Sequence, residues 1–162
     1  MDIGIIGVGN ILMQDEGTGP KVAEILKNNY TFNPEVEIID GGTLGLELLP
    51  YLEKYRKMIL IDVVDFHKEP GFMKVLRGED IPPYLKSKLS AHHVGVQDLI
   101  EVARLMGTMP EELVLVGIQP LSIDIGLDLT PTIAGKLNLL IEEVLKILEN
   151  WGIKCALQSH QK

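Results

Sequence analysis

Short aliphatic runs alternate with amphipathic stretches along the chain. IGIIGV at 3–8, VEIID at 36–40, MILIDVV at 58–64 and ELVLVGI at 112–118 are each bounded by turn residues. A run that is apolar at successive positions, as 58–64 is, suits a strand covered on both faces. Between these runs, Lys21–Tyr30 carries Val22, Ile25 and Leu26 at helical spacing, and a second helical stretch runs from Leu44 to Tyr55,. The first half therefore reads βαβαβ. After Pro70-Gly71, FMKVLR at 72–77 alternates imperfectly and reads as an edge or antiparallel strand,. Pro82 and Pro83 open a short irregular helix, and 95–106 predicts a helix with Leu99, Val102 and Leu105 facing inward. Beyond the loop 119–129, Thr130-Pro131 has the form of an N-cap followed by proline at the first helical position,. It opens a long helix to about Glu149, which Gly152 ends. The pattern predicts a single α/β domain over 1–154, a three-layer sandwich. Its centre is a mostly parallel twisted sheet of about five strands, with helices on both faces and a flexible tail over 155–162.

Composition narrows the function classes. The chain has 162 residues, 46% of them hydrophobic and only 5% aromatic, so an Ile/Leu/Val core can form without disulfides,. A formal charge of −8 argues against a nucleic-acid partner, whose affinity comes largely from cationic contacts to phosphate,. Cys155 is the sole cysteine, which excludes an intramolecular disulfide and a cysteine-rich zinc site,. The start MDIGIIGVGN has no basic region before its short apolar run, and no apolar stretch approaches the ~20 residues that span a bilayer,. The expectation is a soluble, cytoplasmic monomer with no membrane insertion.

The candidate chemistry falls at predicted strand ends. Glu16 follows GIIGVGN, Asp40 lies in IIDGGT, Asp62 in ILIDVV, and His92 and His93 in SAHHVG. In open α/β sheets the ligand crevice lies beyond the carboxyl ends of the strands, so these groups can converge there. Each also has a plain structural reading. Glu16 can interact with the start of the following helix. Asp62 can accept bonds from neighbouring loop amides. Adjacent histidines in an extended segment point to opposite sides, so one of the pair at most faces the site. Gly7 and Gly9 do not complete a dinucleotide fingerprint, because Leu12 stands where the third glycine belongs, and they read as a tight strand-to-loop turn,. No HExxH or GxSxG segment is present,. Carboxylates, imidazole and a divalent metal are the chemistry left.

IGIIGVGNILMQDEGTGP, VEIIDGGTLGLELL, LIDVVD, PGFMKVLR, SAHHVG, LVLVGIQP and LTPTI together cover nearly the whole chain. They resemble the hydrogenase maturation endopeptidases, which remove a C-terminal extension from the large subunit of nickel-iron hydrogenases. The resemblance implies that Glu16, Asp62 and His92 form a nickel-binding triad, with His93 as the alternative imidazole. It implies that Asp40 serves substrate recognition or catalysis, so that the catalytic set is Asp40, Asp62 and Glu16, in an aspartic-type or metal-dependent hydrolysis. Nickel arrives on the large-subunit precursor, the implied partner, and other divalent ions can occupy the same donors in vitro. Two other readings stay open. One is a metal-dependent escort that holds the precursor without cutting it. The other is an enzyme like peptidyl-tRNA hydrolase, which shares the strand and GxGN turn but is opposed by the acidic charge.

Overall fold

The structure, a computed structural model, describes residues 2–42, 45–81 and 100–158. The strands are β1 (Ile3–Val8), β2 (Tyr30–Asn33), β3 (Glu37–Gly42), β4 (Lys57–Val63), β5 (Met73–Arg77), β6 (Glu112–Ile118) and β7 (Lys154–Leu157). Five of them form one sheet in the order β3-β1-β4-β6-β5. β1 runs parallel to β3 and β4, β4 runs parallel to β6, and β5 pairs antiparallel with β6. The edge position and direction expected for 72–77 are as observed, and so is the five-stranded α/β sandwich.

Alternation along the central strands sorts the core into two layers. Ile6, Met58, Leu60 and Leu115 face Leu48, Leu52, Ile100 and Ala103 on one side. Ile5, Ile59, Ile61, Val114 and Val116 face the other side, against helix α1 (Thr18–Asn29) through Val22 and Leu26. Helix α5 (Leu137–Asn150) completes that second layer with Leu140, Val144 and Leu148. All of these side chains are buried, each contributing roughly 1.5–3 kcal/mol of hydrophobic stabilisation,. The first layer is closed by a 3₁₀ turn at Gly45–Leu48, helix α2 (Leu49–Lys54) and α3, the helix that ends at 106.

Three expectations change. Of the three residues expected to face inward on helix α3, Leu105 is exposed, Val102 is half-buried and Leu99 lies outside the described residues, while Ile100 and Ala103 are buried instead. Apolar residues occur on more than one face of this segment, and contact with the sheet selects which of them turn inward. The single long helix is two helices, α4 (Pro131–Ala134) and α5. The interruption falls at Gly135-Lys136, where the Lys136 amide donates to the Ile133 carbonyl at 2.9 Å, a tighter 3₁₀ closure that ends the first axis,. Third, residues 155–158 are not free, while 159–162 lie outside the described residues. Lys154–Leu157 pairs antiparallel with Tyr30–Asn33 in a separate two-stranded ribbon, and the Gln158 amide donates to the Asn29 carbonyl at 2.8 Å. No helix among the described residues is long and apolar enough to cross a membrane.

Candidate active site

The carboxyl ends of β1 and β4 meet the N-terminus of α1 with main chain against main chain. A Cβ on Gly19 would lie 2.4 Å from the Val8 carbonyl oxygen and 2.5 Å from that of Ile61. One on Gly7 would lie 2.2 Å from the Gly19 oxygen. No side chain fits in that seam. Gly9 has φ +143°, and a Cβ there would fall 1.8 Å from the Glu16 oxygen, so the loop can fold back over the strand only with glycine at this position,. The result is specific placement. Glu16, in a 3₁₀ turn at Gln14–Gly17, stands just before the seam, and Asp62 is the next residue after Ile61. The two elements are in contact.

Glu16 is fully buried and Asp62 is 1% exposed. Asp62 Oδ1 accepts the Val63 amide at 2.8 Å, the structural role that its place at a strand end allows. Two carboxylates buried at adjoining strand ends are costly in ionised form without a compensating cation or hydrogen bonds. A divalent ion with a preference for oxygen and imidazole donors suits that setting. Asp40 lies one strand further out, on β3, and is exposed. Its Oδ1 accepts the Gly42 amide at 3.1 Å, and the Gly9 amide donates to the Gly42 carbonyl at 3.0 Å, which ties this lip to the loop carrying Glu16. A groove of about 160 Å³ beside it is lined by Ile11, Pro20, Asp40 and Leu127 among others. His92 and His93 lie outside the described residues. Among the described residues no three His, Cys, Asp or Glu side chains surround one point.

One residue that sequence reasoning did not single out organises this end of the molecule. Asp15 is fully buried, and its carboxylate accepts four hydrogen bonds. Oδ2 takes the amides of Leu121 and Ser122 at 2.9 and 3.0 Å, and Oδ1 takes the Thr130 amide at 2.8 Å. The Thr130 hydroxyl donates to the same carboxylate, at 2.9 Å from Oδ2, and makes no capping bond to its own helix. Hydrogen bonds to a charged acceptor are worth about 1.5–3 kcal/mol each. Together they clamp the loop 119–130 onto the loop that bears Glu16. Gln119, also buried, accepts the Phe66 amide at 2.6 Å and so holds the chain that leaves β4 after Asp62. Its only signal in the sequence is a polar residue directly after an apolar strand.

Cys155 sits in β7, and burial, with Glu149 nearby, pushes its thiol above the ordinary cysteine range. A protonated thiol is a poor nucleophile at neutral pH.

The model of the hydrogenase maturation protease family matches residues 20–147. The hydrogenase 2 maturation protease of Escherichia coli is 37% identical over 95% of this chain and 94% of its own. The hydrogenase expression/formation protein HupD of Rhodobacter capsulatus is 39% identical over 93% of this chain and 72% of its own. Among solved structures, the hydrogenase maturating endopeptidase HybD from E. coli superimposes with a TM-score of 0.92 at 36% identity, covering 98% of each chain.

Proposed function

This chain belongs to the hydrogenase maturation proteases, and from that premise we propose that it is the endopeptidase that removes the C-terminal extension of a nickel-loaded hydrogenase large-subunit precursor. The observation that carries the reading is the burial of Glu16 and Asp62 at the adjoining ends of β1 and β4, beside an open acidic lip. In this reading Glu16 and Asp62, with His92, receive the nickel that the precursor carries, and His93 is the alternative imidazole. The ion is part of the substrate, and its capture sets the position of the adjoining peptide bond. Nickel can polarise a carbonyl or lower the pKa of a bound water. In the same reading Asp40, exposed on the lip, serves the extension as a hydrogen-bond acceptor or as the base for water. In this reading the hydrolysis is of the aspartic or the metal-dependent type, and the raised pKa of the sole cysteine, in the β2–β7 ribbon, disfavours a thiol nucleophile,.

The test is the intact mass of a nickel-loaded precursor before and after incubation with the protein, beside a nickel-free control. Loss of a C-terminal peptide from the loaded form alone is the expected result. An unchanged mass in a stable complex would replace cutting with escort. Equal cleavage of both forms would remove nickel from recognition.

A further inference from the structure

The clamp formed by Asp15 has an outer surface. Five large apolar side chains stand on the two loops that it joins, Ile11, Leu12, Leu121, Ile125 and Leu127, and they are 58%, 54%, 54%, 87% and 78% exposed. They are held in one arrangement by main-chain bonds across the junction. The Gly126 amide donates to the Leu12 carbonyl and the Gln14 amide to the Gly126 carbonyl, each at 2.9 Å, while the Asp15 amide donates to the Ser122 carbonyl at 3.1 Å. A patch of this kind on a firmly tied loop pair marks an interaction site rather than scattered surface leucines. It adjoins Glu16 in sequence and shares Ile11 and Leu127 with the groove that contains Asp40.

Charge decides what covers it. Segments 9–17 and 119–130 contain no Lys or Arg, and their exposed acids are Asp124 and Asp128, while Lys21, which lines the shared groove, is paired with Glu24 at 3.9 Å. A second copy of this chain would set those acids against their own duplicates, which is unfavourable. An apolar surface rimmed with Lys or Arg is complementary.

We propose that Ile11, Leu12, Leu121, Ile125 and Leu127 form a preassembled docking surface for the folded body of the precursor, which meets it with an apolar patch bordered by basic residues. Asp15 is the positioning residue that holds this surface in register with Glu16. The inference rests on the protease reading above and adds to it. Recognition of the substrate has two parts, the metal with its tail in the carboxylate site and the body on the loop patch.

The experiment compares the protein with its Leu121→Ser/Ile125→Ser variant on the nickel-loaded precursor, measuring steady-state cleavage and calorimetric binding together. Both side chains are mostly exposed, so the variant should keep the wild-type melting temperature. The expected result is a KM raised about tenfold with kcat within about twofold, the pattern of lost docking with intact chemistry. Asp124→Lys/Asp128→Lys should also weaken binding and flatten its salt dependence. Wild-type cleavage with an unchanged KM in the Ser variant overturns the docking surface and leaves the protease standing. Precursor bound by wild type but not by the Ser variant, with cleavage by neither, keeps the surface and overturns the protease. Absence of both binding and cleavage overturns both. A concentration-dependent dimer that the Ser variant abolishes assigns the patch to self-association instead.

Discussion

The two ends of the central sheet handle charge in opposite ways. At the amino end, Arg56 Nη2 lies 3.2 Å from Glu111 and Nη1 lies 3.7 Å from Asp2, while Lys57 pairs with Glu112 at 3.6 Å and stacks over Trp151. Arg56, Asp2 and Glu111 are exposed and Lys57 is half-buried, and the Glu111 hydrogen bond and charge raise the already high pKa of Arg56. The larger hollow is here too, about 470 Å³ between Asp2, Pro34, Arg56 and Trp151. At the carboxyl end the groove among the described residues measures about 160 Å³, and Asp15, Glu16 and Asp62 are buried. Burial of carboxylates, rather than the size of a hollow, singles out the carboxyl end as the candidate site, whereas exposed ion pairs contribute little.

The comparison is broken most directly at the buried pair. Glu16→Gln or Asp62→Asn, each nearly isosteric, should lower precursor cleavage by roughly a thousandfold or more with little change in the unfolding midpoint. Cleavage at wild-type rates would remove these carboxylates from the mechanism. Asp15→Ala should act on both stability and activity. It strands the amides of Leu121, Ser122 and Thr130 and the Thr130 hydroxyl. Urea unfolding should then show a loss of about 3 kcal/mol or more. Cys155→Ser should leave cleavage unchanged. In the wild type, alkylation by iodoacetamide should rise with pH later than for a free cysteine, since burial holds the thiol protonated,. A wild-type rate profile that tracks this alkylation would bring the thiol back. The smallest effect is expected at the amino end, where Arg56→Ala should alter neither melting temperature nor cleavage. A fall in cleavage there would mean that the larger hollow takes part after all.

Legibility in the sequence followed the range of the interactions. β1 and β6 carry the limits that their apolar runs suggested, because a strand buried on both faces is written in consecutive residues. The position of Asp62 near the end of β4 was readable for the same reason, whereas Glu16 stands in a 3₁₀ turn beyond the end of β1. The partners of Asp15 stand 106 to 115 residues further along, and nothing local distinguishes a clamp from a solvated loop acid. Pairing of Tyr30–Asn33 with Lys154–Leu157 joins segments 125 residues apart, as Thr31 and Ala156 are, through four-residue strands too short to show a period. Thr130 illustrates the limit most clearly. Its local signal is a helix cap, and the fold assigns its hydroxyl to Asp15 instead.

The seam at Gly7 and Gly19 separates two kinds of tolerance. Because bare backbone sets the gap between α1 and the ends of β1 and β4, the spacing of Glu16 from Asp62 does not depend on which aliphatic side chains fill the layers beneath. Ile, Leu and Val can be exchanged there, at some expense in stability, without retuning the end that carries the two acids. A single methyl group in the seam would shift both acids at once. The ruler of this site is main chain, and its unit of error is one carbon atom.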